Sequence, residues 1–187
     1  MAACRLEESL IQHSAPSLAG IKTGNLFTVA SRLGQDLKRT IAEFNSKMKH
    51  KGIRLLPMRC LGNRTLLYIY RPKLLEQDLK QESCRCFLCQ LGYPVERSTA
   101  CLREYISRLT SSRDFPHEIG FFLGYPPDDV IAFMEQGSQK ATYSATWRAY
   151  SNEAEARKTC QAFKTCKRIY CTNWEKGKSI EQLTVAM

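Results

Sequence analysis

The 187-residue sequence has no apolar run approaching the 18 or more residues of a bilayer-spanning helix, so no membrane partner is expected. A secretory leader would begin with positive charge and an apolar core, whereas MAACRLEESLIQHSAP carries Glu7 and Glu8 there, which makes a cytoplasmic protein the expectation. No low-complexity linker divides the chain. Its length lies just above the roughly 150-residue prior for one domain, so residues 1–187 are expected to form a single domain with a short tail from residue 177. Neither G-x-x-x-x-G-K-[ST] nor G-x-G-x-x-G occurs, so a nucleotide site has little support. The G-x-S-x-G of a serine nucleophile elbow is missing too, as is any recognised nucleic-acid-binding motif.

What is there begins with composition: 43% hydrophobic and 25% charged residues describe a chain able to bury a core. The net charge of +10 is uneven. Eleven Lys and Arg stand between Arg32 and Lys73 against Asp36 and Glu43, a local excess of +9. The stretch with Asp114, Glu118, Asp128, Asp129 and Glu135 is acidic by contrast. Such asymmetry suits an anionic small molecule or an acidic protein, the plainer alternative being a solvated surface that keeps the protein soluble. Nucleic acid ranks lower: Tyr68 and Tyr70 stand beside Arg64 and Arg71, but they share one strand face and read equally as core. Nine cysteines cannot all pair, which fits reduced thiols that mostly fill the interior.

Periodicity predicts an α+β fold with a mostly antiparallel sheet of about four strands. A short helix over residues 4–13, closed by Ser14, Ala15 and Pro16, leads to a strand at NLFTVA (25–30). Ser31 then caps a long basic amphipathic helix with Leu33, Leu37, Ile41, Phe44 and Met48 inward, ended by Gly52. RLLPMRC and RTLLYIYR form a β-hairpin whose Pro57 argues for an edge strand. A helical run from Pro72 to Leu91 and a helix near 95–109 flank one Leu-Gly-Tyr-Pro, and a second LGYP stands at 123–126. Gly suits the left-handed position after a helix, and Pro opens the next, so two helix-Gly-Tyr-Pro-helix corners are expected. Asp114 serves as N-cap for HEIGFFL, although a buried strand at EIGFFLGY is the rival reading. Another strand at 142–150, ending TWRAY, and a last helix capped by Ser151 or Asn152 complete the chain.

His117 and Glu118 are the first candidates for chemistry, with His13 beside them; as neighbours, His117 and Glu118 point apart on helix or strand and do not grip one metal together. Cys84, Cys86 and Cys89 in C-x-C-x-x-C resemble a thiolate run for iron or zinc, completed in space by Cys166 and Cys171. On a helix, however, Cys84 points away from Cys86 and Cys89, which favours a structural role. Lys22 and Asn25 lie among small residues where a phosphate can approach, and Tyr125, Arg64 and Arg71 join them as ligand-binding candidates. The leading expectation is an anionic ligand or acidic partner on the basic helix-hairpin surface. A thiol-based redox or metal protein is the alternative, and an enzyme built on His117 and Glu118 is the third. No motif names a cofactor.

HSAPSLAGIKTGNLF, YRPKL, FPHEIGFFLGYPPDDV and TWRAY together resemble a bacterial family catalogued as domain of unknown function 3793, across nearly the whole chain. The family pattern often has Cys where this chain has Ser14, and one apolar residue at Pro127. The resemblance implies no activity. It draws attention to His13, Lys22, His117, Glu118 and Tyr125, the polar members of the shared segments.

Overall fold

The computed structural model describes residues 2–30, 34–112 and 114–187, with side chains from Leu6 onward. The fold is α+β, and its contacts gather into two compact units: one takes the chain up to Lys73 together with Thr165–Met187, the other Leu74–Lys164.

In the first unit, α1 (Ala2–Leu18), β1 (Gly24–Val29), α2 (Gln35–Met48), β2 (Arg54–Leu61) and β3 (Arg64–Tyr70) surround an antiparallel sheet of order β1-β3-β2. β3 takes the centre because nearly all its residues are apolar: Leu66, Leu67, Tyr68, Ile69 and Tyr70 are all buried. Pro57 lies on β2, an edge strand as its missing N–H requires, and the register shifts between Pro57 and Arg59. Leu37, Ile41, Phe44 and Met48 of α2 bury one stripe among Leu10, Ile11, Phe27, Leu55 and Leu67. Ser31 and Leu33, expected to begin that helix, lie outside the described residues. Gly52, at φ 68°, stops it after one further 3₁₀ turn at Lys49–Lys51.

α1 runs past the expected stop at Pro16 to Leu18. Proline removes only the bond to the carbonyl of Gln12, which sits at an exposed position, while Ala15 and Leu18 behind it are fully buried. Burial of that last turn outweighs one lost hydrogen bond.

The second unit is mostly helical. The run from Pro72 divides into α3 (Pro72–Leu79) and α4 (Glu82–Gln90), followed by α5 (Ser98–Ser111), α6 (Ile119–Phe122) and α7 (Pro127–Gln136). Leu75, Leu79, Cys84, Leu88, Leu102, Tyr105, Phe121 and Phe122 are among its buried side chains. The expected strand at 142–150 is a small hairpin of β4 (Tyr143–Ser144) and β5 (Arg148–Ala149), because Ala145–Trp147 make its turn. α8 (Glu153–Glu175) starts where Asn152 Oδ1 accepts the N–H of Glu155 at 3.0 Å, and α9 (Ile180–Leu183) opens on a capping box of Ser179 and Gln182.

Both Gly-Tyr-Pro corners are present, and they are alike in detail. Gly92 and Gly124 adopt φ 77° and 74°. Tyr93 N–H reaches Leu88 O at 2.9 Å and Tyr125 N–H reaches Gly120 O at 3.0 Å, the six-to-one bond of a Schellman ending. EIGFFLGY is therefore a helix end and not a strand. Asp114 does not cap α6; its own backbone N–H donates to Ser112 Oγ, and Glu118 stands at the N-cap position.

Candidate functional site

The tight approach of α6 and α7 makes a cleft. A side chain at Gly120 would put its Cβ 2.6 Å from Val130 Cγ2, so only glycine permits this spacing. The cleft has a volume of about 330 Å³, with His117, Tyr125, Phe133, Trp147 and Arg148 among its walls. Tyr125 and Trp147 lie nearly parallel with ring centroids 5.3 Å apart, and His117 meets the Phe133 ring edge-on at 5.0 Å. Tyr125 donates its hydroxyl proton to Thr146 O at 3.2 Å, and burial followed by the neighbouring Cys160 pushes its phenol up to about 12.

Asp129 sets the Trp147 wall. One carboxylate oxygen accepts the indole N–H of Trp147 at 2.8 Å; the other accepts Tyr150 N–H at 2.8 Å and the Ser151 hydroxyl at 3.3 Å. The side chain is only 3% exposed, and these donors supply what a buried carboxylate needs. An aromatic slot results, with an imidazole and a guanidinium at exposed positions around it.

Glu118 takes no part in that slot. It is buried, unlike His117, and accepts the Tyr93 hydroxyl at 2.7 Å, beneath the first Gly-Tyr-Pro corner. The Arg108 guanidinium covers the Tyr93 ring at 4.1 Å and donates to Leu91 O at 2.8 Å. Burial first, and then the hydrogen bond to Glu118, hold the Tyr93 phenol far above its usual value. The pair His117 and Glu118 thus separates into one cleft residue and one structural residue.

His13, Lys22 and Asn25 come together in the other unit, where α1 meets the start of β1. Lys22 Nζ donates to Gly24 O and to Asn25 Oδ1, both at 2.5 Å, and Asn25 Nδ2 donates to His13 O at 2.5 Å. The His13 ring lies flat on Phe27 at 6.1 Å. Partial burial, then the Lys167 ammonium, hold the His13 imidazole below its usual value. Lys22 is 5% exposed, and burial brings its amine down to about 7.

Arg71 is structural. Its guanidinium donates to Ser17 O, Leu18 O, Lys51 O and Val185 O at 2.6 to 3.0 Å, and it is 1% exposed. Arg64 is exposed and donates to Thr28 Oγ1 at 2.8 Å. Tyr68 and Tyr70 are buried and stack on each other at 4.9 Å, so their faces are not a platform for bases. On α4, Cys84 is buried, its thiol pushed up to about 12 chiefly by burial, whereas Cys86 and Cys89 are exposed. Among the described residues no three His, Cys, Asp or Glu side chains converge as a metal-ligand set, and no helix is long and apolar enough to cross a membrane. Trp147, Arg148, Phe133 and Asp129 are the cleft residues to which sequence reasoning gave no site role. TWRAY is visible as a motif, and the Asp129 that orients its tryptophan lies 18 positions earlier.

A family model described as "Protein of unknown function (DUF3793)" matches residues 10–184. No curated protein matches the chain, and no solved structure does.

Proposed function

Starting from the premise that the chain belongs to DUF3793, a family of unknown function, we propose that it binds a small anion with a flat apolar body in the slot between Tyr125–Trp147 and His117–Phe133. The observation that carries this reading is the oriented aromatic wall: two rings 5.3 Å apart, one of them fixed through its N–H by a buried carboxylate. Sites of this size are mostly apolar and select by a few placed polar groups. Here His117 and Arg148 are those groups, and Arg148 carries the permanent charge. The protein acts in the cytoplasm on this reading, where its thiols stay reduced.

Fluorescence titration with benzoate tests the site, because ligand in the slot lies against Trp147. Saturable quenching is expected, weakened about tenfold by Arg148→Ala through loss of a charge-assisted hydrogen bond. Absence of a saturable signal, or an affinity unchanged by both Arg148→Ala and His117→Ala, overturns the reading.

An acidic protein partner on the basic helix-hairpin surface is a second reading. Lys38, Arg39, Lys47, Lys49 and Arg54 are all exposed there, which favours it. Part of that charge is already engaged: Lys47 lies 3.4 Å from Glu181. Binding through this face falls steeply with added salt, and an acidic partner held equally well at high salt would exclude it.

A further inference from the structure

We propose that Cys86 and Cys89 form a two-thiolate site for a cuprous ion on the solvent face of α4; neither residue lines the aromatic slot. The exposure of these two thiols asks for a reason first. Free cysteine is among the most buried of residue types, and Cys84, Cys101, Cys160 and Cys166 follow that rule here. Three described cysteines are exposed instead, and two of the three, Cys86 and Cys89, share one helix.

The helix sets how the two sulfurs meet. At about 100° per residue, three steps bring Cys89 to within about 60° of Cys86, one turn along. Such i,i+3 neighbours hold their Cβ atoms about 5–6 Å apart. Cys84 lies about 160° from Cys86 on the same wheel. Together with Leu88 it is fixed in the interior, at 1% and 0% exposure. Phe87 packs against Phe121 at 5.9 Å, and Tyr93 N–H closes the C-terminal end on Leu88 O at 2.9 Å. The inner side of α4 is thus anchored near both ends, and the thiol pair is carried on a fixed turn rather than on a loop.

That spacing selects among the things two thiols can do. A disulfide needs Cβ atoms about 3.8 Å apart, so direct closure must deform the turn. One atom placed between the sulfurs lengthens the bridge and removes that demand. Structural zinc and iron–sulfur clusters take four protein ligands, and two thiols from one turn supply half of them. Among the described residues no third His, Cys, Asp or Glu converges with the pair. Cuprous copper is soft, prefers thiolate sulfur, and is satisfied by two ligands in line. Each thiol gives up its S–H proton as a sulfur lone pair is donated to the ion, so two protons are released and copper keeps its oxidation state. The complex carries one net negative charge. Arg85, four residues before Cys89 and so on its side of the helix, brings a guanidinium there, shared with Glu96 at 3.1 Å.

The test is copper competition on the full-length reduced protein without oxygen. Cuprous ion is supplied at one per chain on bicinchoninate, whose colour fades as copper leaves it. Wild-type protein is expected to take that copper, and Cys86→Ser and Cys89→Ser each to lose the uptake at the same chelator concentration. Cys60→Ser, which removes the third exposed thiol, on β2, is expected to match wild type. X-ray absorption at the copper edge of the wild type is expected to show two sulfur neighbours. No uptake by wild type, uptake that survives either Cys86→Ser or Cys89→Ser, loss of uptake in Cys60→Ser, or a copper with three or more sulfurs overturns the proposal. Circular dichroism checks the fold of each variant, and the absorption spectrum of the wild type decides even where a variant does not fold.

Discussion

At the scale of single residues, the buried polar groups make the most exacting predictions. Tyr93→Phe removes the hydroxyl that Glu118 accepts at 2.7 Å and leaves a buried carboxylate short of a donor. A loss of about 1–3 kcal/mol in urea unfolding is expected, with a smaller loss when Glu118→Gln keeps an acceptor in place. Lys22 makes a pH prediction of definite sign. Its amine titrates at about 7 in the folded chain against 10.5 when free, so the unfolded chain binds more protons between those values. Stability therefore rises as pH climbs from 7 towards 10, by at most about 5 kcal/mol, and Lys22→Met flattens that slope. Below pH 7 both states carry the proton and the contribution is constant. Among the thiols, Cys60, Cys86 and Cys89 are exposed and are expected to react with a disulfide reagent under native conditions, while Cys84, Cys101 and Cys160 wait for denaturant. Part of this is legible in the sequence. That His117 and Glu118 point apart follows from one bond geometry, and the structural reading of Cys84 follows from helical spacing. Asp129 is not legible there: its donors come from residues 147, 150 and 151, brought back by a hairpin whose place no local pattern specifies.

At the scale of elements, the two corners show a repeated tetrapeptide repeating its physics. Gly92→Ala and Gly124→Ala each force an L side chain to positive φ, and about 1 kcal/mol of destabilisation is expected for each in thermal or urea unfolding. Their effects should add if the corners are independent. Both corners can be found from sequence because Gly, Tyr and Pro act within five residues of one another. The β2–β3 hairpin is legible for the same reason, and the loss of one donor places Pro57 at an edge. Sequence reasoning errs where a local signal meets a distant one. Pro16 reads as a stop, yet full burial of Ala15 and Leu18 carries α1 through it. The run from Pro72 to Leu91 reads as continuous, yet it turns at residues 80–81 between α3 and α4. The 142–150 segment has strand-like residues throughout, but only four of them are in strands because the segment folds back on itself.

At the scale of the whole molecule, most of the positive charge among the described residues lies at the surface, and Arg71, like Lys22, is buried. That guanidinium binds four backbone carbonyls drawn from α1, from the turn after α2 and from residue 185 near the end of the sequence. Arg71→Met leaves those acceptors without their donor and is expected to cost 3 kcal/mol or more, roughly the penalty of breaking a buried ionic group from its partners. Protein too unstable to purify would agree with it; an unchanged urea midpoint would not. The same arginine joins two stretches of one unit that lie far apart in the sequence. A ribosome releases residues in order, and Leu74–Lys164 emerges whole before the segment that completes the first unit has been made. The core of the α1–β3 stretch is complete only once Ile180 and Leu183 have been made, and Arg71 gains its last acceptor only with Val185. The unit whose translation starts earlier is thus the one whose last residues are made later.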